Sequence, residues 1–180
     1  MKWLIVNADD FGLHSAVNHG IIEGYEKGCI RSTSFIAAGA AAEEAAALAQ
    51  KHPGLGVGIH LTLVAEHSVL PPSEVPSLIW KNGRFLPDHV AFIRRYMTGG
   101  VRREELYAEC EAQILRAKKW GSISPISTVT SIYTCFPAWL MSSSHWRKNT
   151  VLRKCAFRRS LFSLRADIRH PPGGMRLNAA

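Results

Sequence analysis

The sequence has no apolar run approaching the roughly 18 residues needed to cross a bilayer, so a membrane span is not expected. Its opening stretch, Met1-Lys2-Trp3-Leu4-Ile5-Val6, is too short and too soon polar for a signal peptide, which makes the cytoplasm the default compartment. Cysteine is scarce. Cys29, Cys110, Cys135 and Cys155 stand far apart with no CxxC pair, which argues against a zinc ribbon or a redox motif and for isolated buried or surface thiols. No glycine-rich loop follows the first expected strand, which counts against a phosphate-binding α/β protein. There is no internal repeat.

Acidic residues are almost missing from the last third. Residues 121–180 hold nine of the 22 Lys and Arg residues but only Asp167 of the 14 acidic ones, so residues 1–120 carry 13 of each sign. The net charge of +8 therefore belongs to the tail, and no nucleic-acid partner is expected from the charge alone. The asymmetry is a composition break near residue 120.

What is present is an alternating pattern. Residues 3–7 read as a short buried strand ending at a carboxylate pair. Ser15 is placed to cap a helix through about residue 27, with Val17, Ile21, Ile22 and Tyr25 on one face. Residues 31–37 read as a second strand, 40–51 as a second helix and 56–63 as a third strand. This βαβαβ order predicts a parallel sheet or barrel. Residues 64–87, with four prolines, read as a long loop over the strand ends. Residues 88–97 and 102–119 read as helices, the latter with Leu106, Cys110, Gln113 and Ile114 along one side and many charges on the other. A fourth strand is expected soon after Trp120, but the Ser- and Thr-rich residues that follow show no clean period.

Two constellations carry chemistry. In Asn7-Ala8-Asp9-Asp10-Phe11-Gly12, adjacent carboxylates repel unless a bound cation offsets their charge. Neighbours on an extended chain point opposite ways, and a turn lets one meet a metal while the other faces a water. On the dipeptide alone the simpler reading is favoured: Asp10 caps the following turn and Asp9 is solvated. In Gly58-Ile59-His60-Leu61-Thr62, a His inside an apolar strand is more often a hydrogen-bonded core residue than a ligand. His60 nevertheless falls at the same end of the expected sheet as the carboxylates, where the active sites of parallel α/β proteins lie. An Asp and a His from two strands make two-thirds of a His/His/carboxylate metal site.

The NADDFG segment, GIHLTL about fifty residues on, and GVRREELYAECEAQI together resemble the YdjC-like carbohydrate deacetylase family, which includes chitooligosaccharide deacetylases and proteins associated with hopanoid biosynthesis. The resemblance covers about residues 1–120. It implies an α/β fold, the N-terminal part of a distorted parallel β/α barrel, incomplete here and followed by an irregular tail. It implies a metal-dependent hydrolase that deacetylates N-acetylated sugars or oligosaccharides, with Asp10 and His60 as ligands of a divalent metal ion (magnesium or zinc) and Asp9 as general base. A homo-oligomer is compatible with it. A third ligand, a histidine, belongs to a family segment of the form T-H-x-D-S-H-x-H-x-H just after the 102–119 helix, and this sequence has no such segment.

Residues 124–137, Ser124 to Pro137, contain that segment in another reading frame. Joining the last base of each codon to the first two of the next permits T-H-L-D-S-H-L-H-I-H-M-F-P-G. The same shift over Leu140 to Arg158 permits D-V-V-I-A-L-A-E-K-Y-G-I-A-K-V-R-V-P, a helix followed by a strand. We read this as a single-base frame change near residues 121–124. Residues 1–120 are then a partial carbohydrate deacetylase domain and 121–180 an out-of-frame or disordered tail, with activity impaired or lost. The alternative is a non-catalytic fragment, or a divergent protein with a basic tail that binds RNA or a membrane, its Arg and Lys pairs interleaved with Trp139, Trp146 and Phe157. His145 and His170 sit in no family-like context and are not assigned as replacement ligands.

Overall fold

Three parallel strands, β1 (Val6–Phe11), β2 (Ile30–Phe35) and β3 (Gly56–Ile59), form one sheet in the order β1-β2-β3. The computed structural model describes residues 6–121. Helix α1 (Ser15–Glu26) crosses from β1 to β2, and α2 (Ala42–Lys51) from β2 to β3. Two further helices follow the long loop, α3 (His89–Met97) and α4 (Arg103–Lys119). The alternating order and parallel pairing agree with the α/β expectation. Barrel closure, the fourth strand and the tail beyond residue 121 lie outside the described residues, as do residues 3–5 of the first expected strand.

The helices form where local chemistry favours them. The first strand gives way to α1 at His14, whose ring Nδ1 accepts the Ala16 N–H at 3.1 Å. His14, not Ser15, is therefore the cap, and the Ser15 hydroxyl instead donates to Glu44 on α2. Asp88 caps α3 by accepting from the Ala91 N–H. α2 carries Glu43 and Glu44 in its first turn and Lys51 in its last, and α4 has Glu104 and Glu105 against Arg116, Lys118 and Lys119, each matching the helix dipole.

The core joins sheet and helices. Phe11 and Phe35 meet edge to face with centroids 6.3 Å apart, and Trp120 at the end of α4 packs on Phe35 at 5.5 Å. Ile21 and Ile22 of α1, four alanines of α2 and Leu106, Cys110 and Ile114 of α4 complete it. The small residues of α2 let that helix pack close to α1. Among the described residues no helix is long and apolar enough to cross a membrane.

All three strands differ in their bounds from the expectation, β2 by ending at Phe35 rather than residue 37, and the differences in β1 and β3 shape the site. β1 does not stop at the carboxylates but runs through them to Phe11, with one extra residue: Ala8 pairs with Thr33 and Phe11 with Phe35. This is a bulge, and Asp10 sits in it at φ 68°. The Thr33 hydroxyl donates to the Ala8 carbonyl at 2.8 Å, so that acceptor is satisfied beside the break. β3 is shorter than residues 56–63. Its partner β2 ends at Phe35, and the pairing of the two strands finishes where the His60 N–H donates to the Phe35 carbonyl.

Candidate functional site

The bulge solves a geometric problem. Consecutive residues of a regular strand project to opposite faces. With Asp10 in the left-handed region the chain turns, and both carboxylates come within electrostatic reach of His60. A non-glycine residue at positive φ costs about 1–2 kcal/mol, least for Asn and Asp, so the backbone stores a small strain where the acidic pair stands. The exit from the bulge requires glycine: Gly12 has φ 101°, and a Cβ there would lie 2.9 Å from the Ile36 carbonyl oxygen. Its N–H donates to Asn18 Oδ1 at 2.7 Å. Asn18 is fully buried and bonds through Nδ2 to the Ala41 carbonyl and to Glu44, tying the turn to both crossover helices. Asn18 and Ser15 in turn hold the Glu44 carboxyl below its usual range.

Asp9 is exposed and oriented by its neighbours. Asn7 Nδ2 donates to Oδ1 at 2.9 Å, and the Ser34 hydroxyl donates to the same oxygen. Among the described residues no donor reaches Oδ2. Asp9 is thus solvated, as expected, but one of its oxygens is also anchored to Asn7 and to β2.

Asp10 and His60 face each other. His60 Nδ1 lies 3.5 Å from Asp10 Oδ1, with His60 6% exposed and the Asp10 side chain about half exposed (49%). The contact is electrostatic, because among the described residues the buried His60 Nδ1 has no hydrogen-bond partner. A buried polar atom left without a partner is costly unless something else uses it. Burial pushes the imidazole pKa down, against the opposing pull of the Asp10 and Asp9 carboxylates, and so favours the neutral ring that can donate a lone pair. Two ligands on one cation at bond lengths of about 2.1 Å stand roughly 3–3.5 Å apart, so the pair fits a shared divalent ion. Among the described residues no group of three or more His, Cys, Asp or Glu is placed to hold a metal. The described residues thus bring together one carboxylate and one imidazole, Asp10 and His60. The third ligand, expected after α4, falls at residues outside the described ones.

The residues that sequence reasoning missed lie on α4. Glu105, Glu109 and Gln113, four apart, form a buried polar stripe where a solvated charged face was expected for the glutamates. Glu105 accepts the Ser77 N–H at 2.7 Å. Glu109 accepts the Val69 and Leu70 N–H groups at 2.9 and 3.0 Å. Gln113 exchanges two hydrogen bonds with the main chain of Thr62. The long loop has little regular structure of its own, only three isolated bridges, and these side chains supply part of its missing ladder. Their regular spacing was the available signal.

Comparison with known proteins covers the part of the chain in which these residues lie. A family model described as YdjC-like protein matches residues 3–125. The chain is 41% identical over 120 residues to a carbohydrate deacetylase of Geobacillus stearothermophilus, covering 67% of this chain and 45% of that protein. It is 35% identical over 178 residues to a carbohydrate deacetylase of Halalkalibacterium halodurans, covering 97% of this chain and 68% of the relative. A chitooligosaccharide deacetylase of Serratia marcescens is 38% identical over 115 residues, which is 64% of this chain and 43% of that one. In two of these three relatives the matched part is less than half of the protein. A solved structure from Enterococcus faecalis, of a protein ascribed a role in cellobiose-phosphate cleavage, superposes with a TM-score of 0.59 at 37% identity, over 67% of this chain and 45% of its own.

Proposed function

The chain belongs to the YdjC-like protein family, and on that premise we propose that its described part is the N-terminal portion of a β/α barrel that hydrolyses N-acetyl groups from amino sugars or oligosaccharides. The observation that carries this reading is the buried Nδ1 of His60, without a hydrogen-bond partner among the described residues and facing the Asp10 carboxylate beside a second, oriented carboxylate. The relatives' names, carbohydrate and chitooligosaccharide deacetylase, support the substrate class.

In this reading Asp10 and His60 hold a divalent cation, which when bound supplies Lewis-acid polarisation of the acetyl carbonyl. Imidazole with carboxylate suits zinc or a similar transition ion, whereas magnesium prefers more oxygen ligands. Asp9 is the general base. Its Oδ1 is anchored by Asn7 and Ser34, and its Oδ2 takes the proton of the attacking water. The water oxygen bonds to the acetyl carbon, the carbon–nitrogen bond breaks, and the amine leaves with a proton supplied by an acid expected beyond α4. The products are acetate and the free amino sugar.

With two protein ligands the chain as given holds the cation weakly, and we place its activity well below that of a chain carrying the family's histidine-rich segment. The test compares the given chain with one in which a single-base shift near codons 121–124 is corrected. Metal content and acetate release from N-acetylglucosamine oligomers are measured for both. Stoichiometric metal and equal acetate release from the uncorrected chain would refute the account of the lost segment. A second reading has its own support: the similarity to the Halalkalibacterium protein runs over 97% of the chain, as a divergent but in-frame continuation of the family domain requires. The nucleotide sequence across codons 118–126 separates the two.

A further inference from the structure

β3 ends at Ile59, so His60 stands just beyond the regular strand. Upstream, the His60 N–H donates to the Phe35 carbonyl at 2.7 Å. Downstream, among the described residues, the next main-chain groups held by a partner outside their own segment are those of Thr62, and the partner is a side chain. Gln113 Oε1 accepts the Thr62 N–H at 3.1 Å, and Gln113 Nε2 donates to the Thr62 carbonyl at 2.8 Å. A primary amide presents one donor and one acceptor side by side, as a peptide group on a neighbouring strand would. The second Nε2 proton goes to Glu109 Oε1 at 2.8 Å, which fixes which end of the amide is which. Glu109 is held in turn by the Val69 and Leu70 N–H groups. Gln113 and Glu109 are both fully buried, so no water competes for these bonds.

We propose that Gln113 is a positioning residue for His60: its amide pairs with the main chain of Thr62 as a neighbouring strand would and so holds the imidazole against Asp10. This rests on the reading of Asp10 and His60 as a metal pair, and it adds to that reading a support residue more than fifty positions away in sequence. The alternative is that Gln113 merely satisfies a buried main chain, contributing stability but not geometry at His60.

Two readouts distinguish the ideas. The first needs no metal: the ring signals of His60, observed by NMR with His60→Gln for assignment, report whether the imidazole keeps one rotamer. The second is the affinity for Zn²⁺, measured by competition with a chromophoric chelator. Gln113→Met keeps the volume and removes both bonds to Thr62. Gln113→Glu keeps the acceptor for the Thr62 N–H and loses the donor. Glu105→Gln, whose contacts are at Ser77 and Arg102, serves as the control for stripe residues remote from His60.

Gln113→Met is expected to average the His60 ring signals and to weaken Zn²⁺ binding by about 10- to 100-fold, the usual effect of losing a group that orients a ligand. Gln113→Glu should fall between it and the parent, and Glu105→Gln should match the parent. A folded Gln113→Met with unchanged His60 ring signals would overturn the proposal, whatever its metal affinity. If that variant does not fold, unchanged ring signals in Gln113→Glu overturn it in the same way. A parent chain that holds the ring in one rotamer yet binds no Zn²⁺ counts against the metal reading alone, and the ring signals of the variants still decide the role of Gln113.

Discussion

His60 Nδ1 stands 3.5 Å from Asp10 Oδ1, buried and without a hydrogen bond among the described residues, and this one relationship joins the end of the third strand to a bulge in the first. Both side chains are expected to contribute to cation binding. Asp10→Ala and His60→Ala should each remove measurable Zn²⁺ or Mg²⁺ binding in calorimetric titration, with the far-ultraviolet spectrum unchanged. His60→Ala also relieves a buried unpartnered nitrogen, so its loss of binding should come with little loss of stability. Retained binding in either variant would place the cation elsewhere.

Much of this was legible in the residues. The order of strands and helices followed from apolar periodicity, and Asp9, Asp10 and His60 stood out because the topology brings the ends of β1 and β3 to one edge. The bulge was not legible. A register shift depends on the pairing of Ala8 and Phe11 with a strand some 25 residues away, and nothing local announces it except the tolerance of Asp10 and Gly12 for positive φ. The α4 stripe was misread for a related reason. Glu105 and Glu109 have the composition of a solvated face, but the loop they meet offers unpaired N–H groups, and a carboxylate that accepts two of them can be buried.

Gly12 is the most constrained position of the acidic turn. Gly12→Ala must place a Cβ at φ 101° and 2.9 Å from the Ile36 carbonyl oxygen. The left-handed conformation costs about 1–2 kcal/mol, and the clash with main chain adds to it. Urea unfolding should show a loss of at least about 2 kcal/mol, because the atom in the way is backbone rather than the tip of a flexible side chain. A variant as stable as the parent would mean that the turn relaxes.

His52 gives the fold a dependence on pH. Its Nδ1 faces the Leu48 carbonyl at 2.7 Å and its Nε2 faces Glu26 at 3.0 Å, so both ring nitrogens are best served as donors. The Leu48 carbonyl chiefly, and then Glu26, raise its pKa, while burial and Lys51 oppose the shift. A pKa raised by folding means that the imidazolium is bound more tightly in the folded state. The stabilisation is fully present below the unfolded value of about 6.5 and is lost as pH rises through the higher folded value. Stability measured from pH 6 to pH 8.5 should fall more steeply for the parent than for His52→Gln. Parallel curves would remove His52 from the account.

The two described cysteines should differ sharply in reactivity. Cys110 is buried in the α4 core beside Glu109, and burial first, then that carboxylate, pushes its thiol up to about 12. Cys29 is exposed after α1. A brief treatment with iodoacetamide at pH 8, read by peptide mass mapping, should label Cys29 and spare Cys110 until the chain is unfolded. Early labelling of Cys110 would show that α4 opens readily, and the polar stripe that organises the loop could not then be rigid.

Asp9 is expected to separate chemistry from cation binding. Its Oδ1 is held by Asn7 and Ser34 and no described donor reaches its Oδ2, which suits a base that must point at a water rather than a ligand buried against a metal. In the frame-corrected chain, Asp9→Asn keeps the shape of the side chain and can still meet the Ser34 hydroxyl, but it cannot accept a proton. Acetate release should fall by about 10²- to 10⁴-fold, the usual contribution of a positioned general base. Cation affinity should change far less than in Asp10→Ala, because Asp9 is not assigned to the pair that faces His60. The decisive comparison is therefore between two columns, turnover and bound metal, for two adjacent residues. If Asp9→Asn and Asp10→Ala lose metal equally, both carboxylates are ligands and the base lies elsewhere. If Asp9→Asn keeps full turnover, the water is activated without it.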